Sequence, residues 1–375
     1  MTYFFIDDQE TNQTIADNLK NENLHIIFHL VKDKWESQLS FLIDQIEEFD
    51  GLLLDWQLQG EKADSNKGYD AEALAQQIRR LASEGKIQKD FPIILCSAAR
   101  NYPDVYQRDH TGHDLFDLAF SKSVFSEDEK VGQIRNRFTS LAKDYKKLNN
   151  PDFRNDLNVL LAIEDESFLD DRFTDSLRKR LDDGRGIPHE ISRFIIDELL
   201  NKSGELISES ILAIRLGVDI SKSGEDWIIL VEKLSKSKYK GLFSNGWSRW
   251  WSSQVSAWWK NQFTPNSFRR SSSKTKVGLL NDKFELSLNP IESLSDKHSS
   301  TFFWTKCTET GIPIDTSDGL LISGQENFYP WQDKRYVSIE AVTNPRIELK
   351  KPVASFERSR LESLKQKYAP KRPKR

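Results

Sequence analysis

The chain has 375 residues, 30% charged and 37% hydrophobic, with a formal net charge of −4. At about 100–200 residues per domain this is chain enough for two or three domains, too polar for a membrane protein and too apolar for a disordered one. No apolar run approaches the ~18–20 residues of a bilayer span, and Met1-Thr2-Tyr3 opens directly into Phe4-Phe5-Ile6 without a basic leader, which predicts a cytoplasmic protein. The two cysteines, Cys96 and Cys307, stand far apart and form no metal-type pair, which excludes a zinc ribbon and a disulfide framework.

The first ~147 residues alternate short apolar runs with amphipathic stretches. The runs are Tyr3–Ile6, Leu24–Leu30, Leu52–Leu54, Pro92–Cys96 and Phe116–Phe120. Between them, Trp35–Phe49 carries Leu39, Leu42, Ile43 and Ile46 at helical spacing. This pattern predicts an α/β fold, a five-stranded doubly wound parallel sheet covered by helices on both faces. Lys146-Lys147-Leu148-Asn149-Asn150-Pro151 marks a boundary, charged and then turn-forming. Residues 148–265 read as a mainly α-helical domain. In it Leu199, Leu200, Leu206, Ile207, Ile211, Leu212 and Ile214 recur at helical intervals around Ser203-Gly204, and Pro188 stands where a first helical residue would. Thr264–Lys276 is Ser/Arg-rich and reads as a loop, residues 266–349 as a mixed segment packing on the helical domain, and 350–375 as a basic tail with a helix around Arg358–Lys367. That tail holds ten Lys/Arg against two Glu, a balance of +8 that leaves −12 for the rest of a chain whose net charge is −4. An acidic head and a basic tail argue against a body built as one nucleic-acid surface.

The chemistry lies where polar residues close the apolar runs. The first run ends in Asp7-Asp8, the third in Asp55, the fourth in Ser97-Ala98 and the fifth in Lys122. In a parallel sheet these ends share one edge, so three carboxylates, a hydroxyl and an ammonium converge. Carboxylates that close repel unless a cation joins them, and oxygen ligands with retained waters suit Mg²⁺. A metal-bound carboxylate beside a lysine and a hydroxyl is a competent phosphoryl acceptor.

Over residues 1–145 the sequence resembles the receiver domain of two-component response regulators, with each signature position in order. The resemblance implies a phosphoacceptor at Asp55, metal ligands at Asp7, Asp8 and Asp55 with the backbone carbonyl of Gln57, a switch hydroxyl at Ser97 and a phosphate-binding ammonium at Lys122. It also implies a histidine kinase as partner. Three features depart from the family pattern: Ser123 follows Lys122 where receivers usually have a proline in a cis bond, Gln59–Lys67 is long and polar, and the aromatic switch position rests on Phe120.

Trp247, Trp250, Trp251, Val255, Trp258 and Trp259 fall within half the circumference of a helix, with Ser244 or Asn245 to cap it. A core helix is favoured there over a partner-binding face and over insertion at a membrane. His110 and His113 read as solvated surface, and His189-Glu190 lacks the second histidine of a zinc protease motif. No phosphate loop, nucleophile elbow or compact helix-turn-helix is present, so the chain is expected to be no enzyme beyond its own phosphorylation chemistry. Gly241–Trp251, Phe303-Trp304 and Tyr329–Asp333 resemble extensions on receivers of bacterial conflict operons. In the Detocs phage-defence system such a receiver acts as a phosphate buffer beside a second receiver fused to an effector. The resulting expectation is a phosphoacceptor in a phosphorelay, with no membrane contact and no nucleic-acid contact beyond weak ones by the tail. Two other classes are a regulator whose nucleic-acid-binding output lies in residues 150–375, and an interaction module gated by phosphorylation.

Overall fold

In a computed structural model, residues 1–31, 34–58, 69–98, 112–182, 187–293 and 295–369 are described. The five expected strands form. They are β1 (Thr2–Asp7), β2 (His25–Leu30), β3 (Gly51–Asp55), β4 (Ile93–Ser97) and β5 (Leu118–Ser121). All pair in parallel, in the order β2-β1-β3-β4-β5, with Phe4 opposite both Ile27 and Leu52, Leu53 opposite Ile94 and Leu95 opposite Ala119. β3 and β4 are buried along their whole length, which is why they read as continuous apolar runs. Gly51 is required by its neighbour: a Cβ there would stand 2.3 Å from the Tyr3 ring, whose hydroxyl donates to the Phe138 carbonyl at 2.8 Å.

The flanking helices are α1 (Gln13–Leu19), α2 (Trp35–Asp44), α3 (Ala71–Ser83) and α4 (Asp128–Leu148). α2 stops short of the expected Phe49. Leu39 and Leu42 are buried, but Ile43 is exposed and Ile46 sits in a separate 3₁₀ turn. α3 is capped by Asp70, which accepts from the Ala73 N–H at 2.9 Å. At the boundary, Asn150 caps a short helix beginning at Pro151.

By contacts the chain divides into two compact units: Met1–Ser167 with Phe173–Asn201 and Lys240–Trp247, and Phe168–Arg172 with Lys202–Tyr239 and Ser248–Arg375. The first unit holds a buried ionic cage. Arg79 donates to Asp90 (2.5 Å) and to Asp117 (2.9 Å). Asp117 also accepts from the Ile93 N–H (2.9 Å), the Tyr145 hydroxyl (2.5 Å) and the Ser192 hydroxyl (2.9 Å). His189 and Ser192 come from the helix Pro188–Arg193, where Pro188 is the first helical residue as its fixed φ predicts. His189 is a core histidine, its Nε2 2.6 Å from the Asp114 carbonyl. The same unit includes Lys240–Trp247: the Phe243 N–H donates to Asp144 (2.5 Å), and the Arg137 guanidinium lies 5.1 Å from the Trp247 ring centroid.

In the second unit three expectations are corrected. Leu206 and Ile207 are not helical: Leu206–Ser208 is a strand antiparallel to Arg249–Trp251. The tryptophan helix is therefore shorter than expected, running Ser252–Phe263, and neither Ser244 nor Asn245 caps it. Strand pairing takes Trp250 and Trp251 out of it, yet Trp250, Trp251 and Trp259 are all core residues. The Ser/Arg-rich stretch ends in a helix, Ser273–Phe284, because Ser272 caps it by accepting from the Thr275 N–H at 3.1 Å. The tail helix forms at Arg358–Lys367 and docks. Val353 is buried, Leu361, Leu364 and Tyr368 pack on the cluster around Leu320 and Val337, and Arg360 donates to the Gly319 carbonyl at 2.8 Å. Among the described residues no helix is long and apolar enough to cross a membrane.

Candidate functional site

Asp7 closes β1, Asp55 closes β3, Ser97 closes β4, and Lys122 follows β5. Because the strands are parallel, these ends stand on one edge of the sheet, where the strand order reverses about β1 and β3. One carboxylate oxygen from each of Asp7, Asp8 and Asp55 lies within 4.8 Å of the others. Lys122 Nζ bridges two of them, 2.8 Å from Asp7 Oδ2 and 2.9 Å from Asp55 Oδ1. Asp7 is wholly buried, Asp55 nearly so, and Asp8 half-buried.

The sequence reading missed what holds Asp7 in place. Its carboxylate accepts from the Gln9 N–H at 2.9 Å and from Asn12 Nδ2 at 2.9 and 3.0 Å. The signal was local, an amide five residues beyond Asp7 in the turn leading into α1. Ser97 is buried, with Ser121 as its register partner. Gln57 lies two residues beyond Asp55 on a short strand, Gln57–Leu58, paired with Tyr69–Asp70, and its side chain is exposed. Phe120 is half-buried, its ring centroid 5.8 Å from Phe125 and 6.1 Å from Phe138. Lys122 begins a 3₁₀ turn and its bond to Ser123 is trans; among the described residues the cis bond is Thr264–Pro265. The Gln59–Lys67 stretch, His110 and the His113 side chain lie outside the described residues.

Burial, and then the neighbouring Asp7, pushes the Asp55 carboxyl up to about 6 against the pull of Lys122. Burial alone would lower Lys122, but Asp55 and Asp7 outweigh it and hold the ammonium above its ordinary range. Cys96, buried beside them, is pushed up by burial, so it stays a thiol. The donor set is all oxygen, acidic and crowded, which fits a hard divalent cation. It does not fit a soft or nitrogen-seeking one.

A pH dependence follows for metal-free protein. Between 3.8 and about 6 the folded state holds a proton on Asp55 that the unfolded chain has released, so stability falls as pH rises through that window. Above it the deficit persists, at about 2–3 kcal/mol. Asp55→Asn should therefore stabilise chelator-treated protein at neutral pH by about 2 kcal/mol, since Lys122 keeps Asp7 as a partner. The gap should close as pH falls below about 4. Equal or lower melting of the variant at neutral pH would contradict this account of Asp55.

No protein-family model matches the chain, and no curated protein does. Among solved structures it is similar to that of the Legionella pneumophila response regulator LqsR, with 13% identity over 38% of this chain and 44% of that chain and a TM-score of 0.26. The match spans less than half of either chain. The assignment of an α/β, receiver-like fold stands on strand order and on the acidic edge.

Proposed function

We propose that this chain accepts a phosphoryl group on Asp55 from a phosphohistidine of a histidine kinase. The observation supporting it most directly is the bridging of Asp7 and Asp55 by Lys122 beside a third carboxylate. In the step, an Asp55 carboxylate oxygen attacks phosphorus, the P–O bond forms as the P–N bond breaks, and the electron pair returns to the imidazole nitrogen. Lys122, already on Asp55, offsets charge on the transferred oxygens, and the Ser97 hydroxyl donates to one of them. Mg²⁺, held by Asp7, Asp8, Asp55 and the Gln57 carbonyl, would supply further charge neutralisation at the same oxygens. Asn12 and the Gln9 N–H keep Asp7 oriented toward the cleft.

The chain carries no recognised enzymatic motif outside this cleft, which supports holding phosphate as the role. On this reading it is a cytoplasmic phosphate buffer in a relay, with a second receiver-effector protein drawing on the same kinase, and anti-phage defence is the proposed setting. A second reading, a polyanion-binding output, has its own supporting observation in the second unit and is argued below.

The metal-dependent part of the proposal is tested by melting. Millimolar Mg²⁺ should raise the melting temperature by mass action, and Asp8→Ala should remove that response while leaving the metal-free fold intact. An unchanged melting curve of the intact protein with Mg²⁺ would rule out a working metal site.

A further inference from the structure

Residues 233–281 hold ten Lys/Arg and not one Asp or Glu. The chain's own acidic content would place about eight acids in such a stretch. Against a net charge of −4, this +10 leaves −14 for everything else. The stretch is broken into separate elements by the fold, so its charge is displayed from a scaffold rather than a tail.

Within the second unit Lys233, Lys236, Lys238, Lys260, Arg270 and Lys274 are exposed, and Lys283 adds to them just past Asp282. Among the described residues none of the seven has a carboxylate within ion-pairing distance, whereas half-buried Arg269 pairs with Asp315 at 2.9 Å. Two of the lysines share an aromatic platform. Lys233 Nζ lies 5.0 Å from the Phe284 ring centroid and Lys283 Nζ 5.4 Å from that of Phe263. Phe284 stacks on Trp258 at 5.9 Å and meets Phe263 edge-on at 6.2 Å. Lys260 stands exposed on the helix that supplies Trp258 and Phe263, and Lys236 follows Lys233 in the adjoining turn. Such cations, free of carboxylate partners and with Lys233 and Lys283 set against aromatic rings, suit the negative charge of a phosphodiester backbone.

We propose that the second unit binds the sugar–phosphate backbone of a nucleic acid through the surface rimmed by Lys233, Lys236, Lys260 and Lys283. Trp250, Trp251 and Trp259 are buried and are not available for insertion into a lipid surface. Binding is independent of base sequence, since the surface presents ammonium groups and no bidentate reader of base edges. This inference does not rest on the phosphoacceptor reading.

The test uses the full-length chain, a fluorescent random-sequence oligonucleotide as single strand and as duplex, and anisotropy across a salt series. Binding to either form is expected with a Kd on the order of micromolar at low salt and a log–log salt slope of about −3 to −4. Replacing the four lysines by Gln should weaken it more than about tenfold at low salt and flatten the slope, with the melting temperature unchanged. Should the Gln variant fail to fold, the four-Arg variant decides: it keeps the charge and should bind as the wild type does. Neutralising Lys365 and Lys367 in the tail should change affinity little. Absence of oligonucleotide binding at low salt overturns the proposal. So does loss with the tail variant but not the platform variant, and so does binding of anionic phosphatidylglycerol vesicles or poly-glutamate in preference to the oligonucleotide.

Discussion

Incubated with Mg²⁺ and a small phosphodonor such as acetyl phosphate, the intact chain should gain the mass of one phosphoryl group in a linkage stable to acid and labile to base. Asp55→Asn should abolish the gain. The acceptor must be a nearly buried carboxylate with a cation in contact, and Asp55 with Lys122 at 2.9 Å is placed to serve. Asp7 is an unsuitable acceptor, because Gln9, Asn12 and Lys122 already occupy its oxygens. Lys122→Gln should leave the acceptor in place but slow labelling about 10²–10³-fold, as expected for removal of one preorganised charge. Equal labelling of wild type and Asp55→Asn would place the acceptor elsewhere and end the reading.

Arg79→Ala should destabilise the first unit by about 3–5 kcal/mol, the loss expected when one member of a buried charged set is removed and the others are left unpaired. Both Asp90 and Asp117 would remain buried, with Asp117 retaining its contacts to Ile93, Tyr145 and Ser192 but no cation of comparable reach. Burial by itself would raise the Asp117 carboxyl, yet Arg79 and then His189 hold it well below the carboxylate range. A lowered folded value contributes stability above the unfolded value of 3.8 and loses it as pH falls through the folded one. The penalty of Arg79→Ala should therefore be full at neutral pH and shrink as pH falls into the carboxylate range, where the variant's buried Asp117, no longer held down by Arg79, takes up a proton. Urea titration of wild type and variant at neutral pH measures it, and a loss below about 1 kcal/mol would show the cage to be dispensable.

Much of the first unit was legible because its signals are local. Each strand announced itself as an apolar run, four of the five closed by a polar residue, and a parallel sheet places such ends on one edge whatever surrounds it. Asp7, Asp8, Asp55 and Lys122 thus came together from position alone: in the structure one oxygen of each carboxylate lies within 4.8 Å of the others, and Lys122 bonds to Asp7 and Asp55. The tail helix at Arg358–Lys367 was also local in origin, although its docking through Leu361 and Leu364 was not.

What the sequence determined by itself, then, is the strand succession, the acidic edge and the absence of a spanning helix among the described residues. Tertiary structure decided the rest, for a physical reason visible in particular residues. Leu206-Ile207 and Trp250-Trp251 fit a helical period as well as a strand, and only their pairing with each other, more than forty residues apart, selects the strand. Asp117, Tyr145 and Ser192 look like ordinary surface polar residues in the chain. They become a cage only when burial beside Arg79 makes each leftover hydrogen bond too costly to leave unmade.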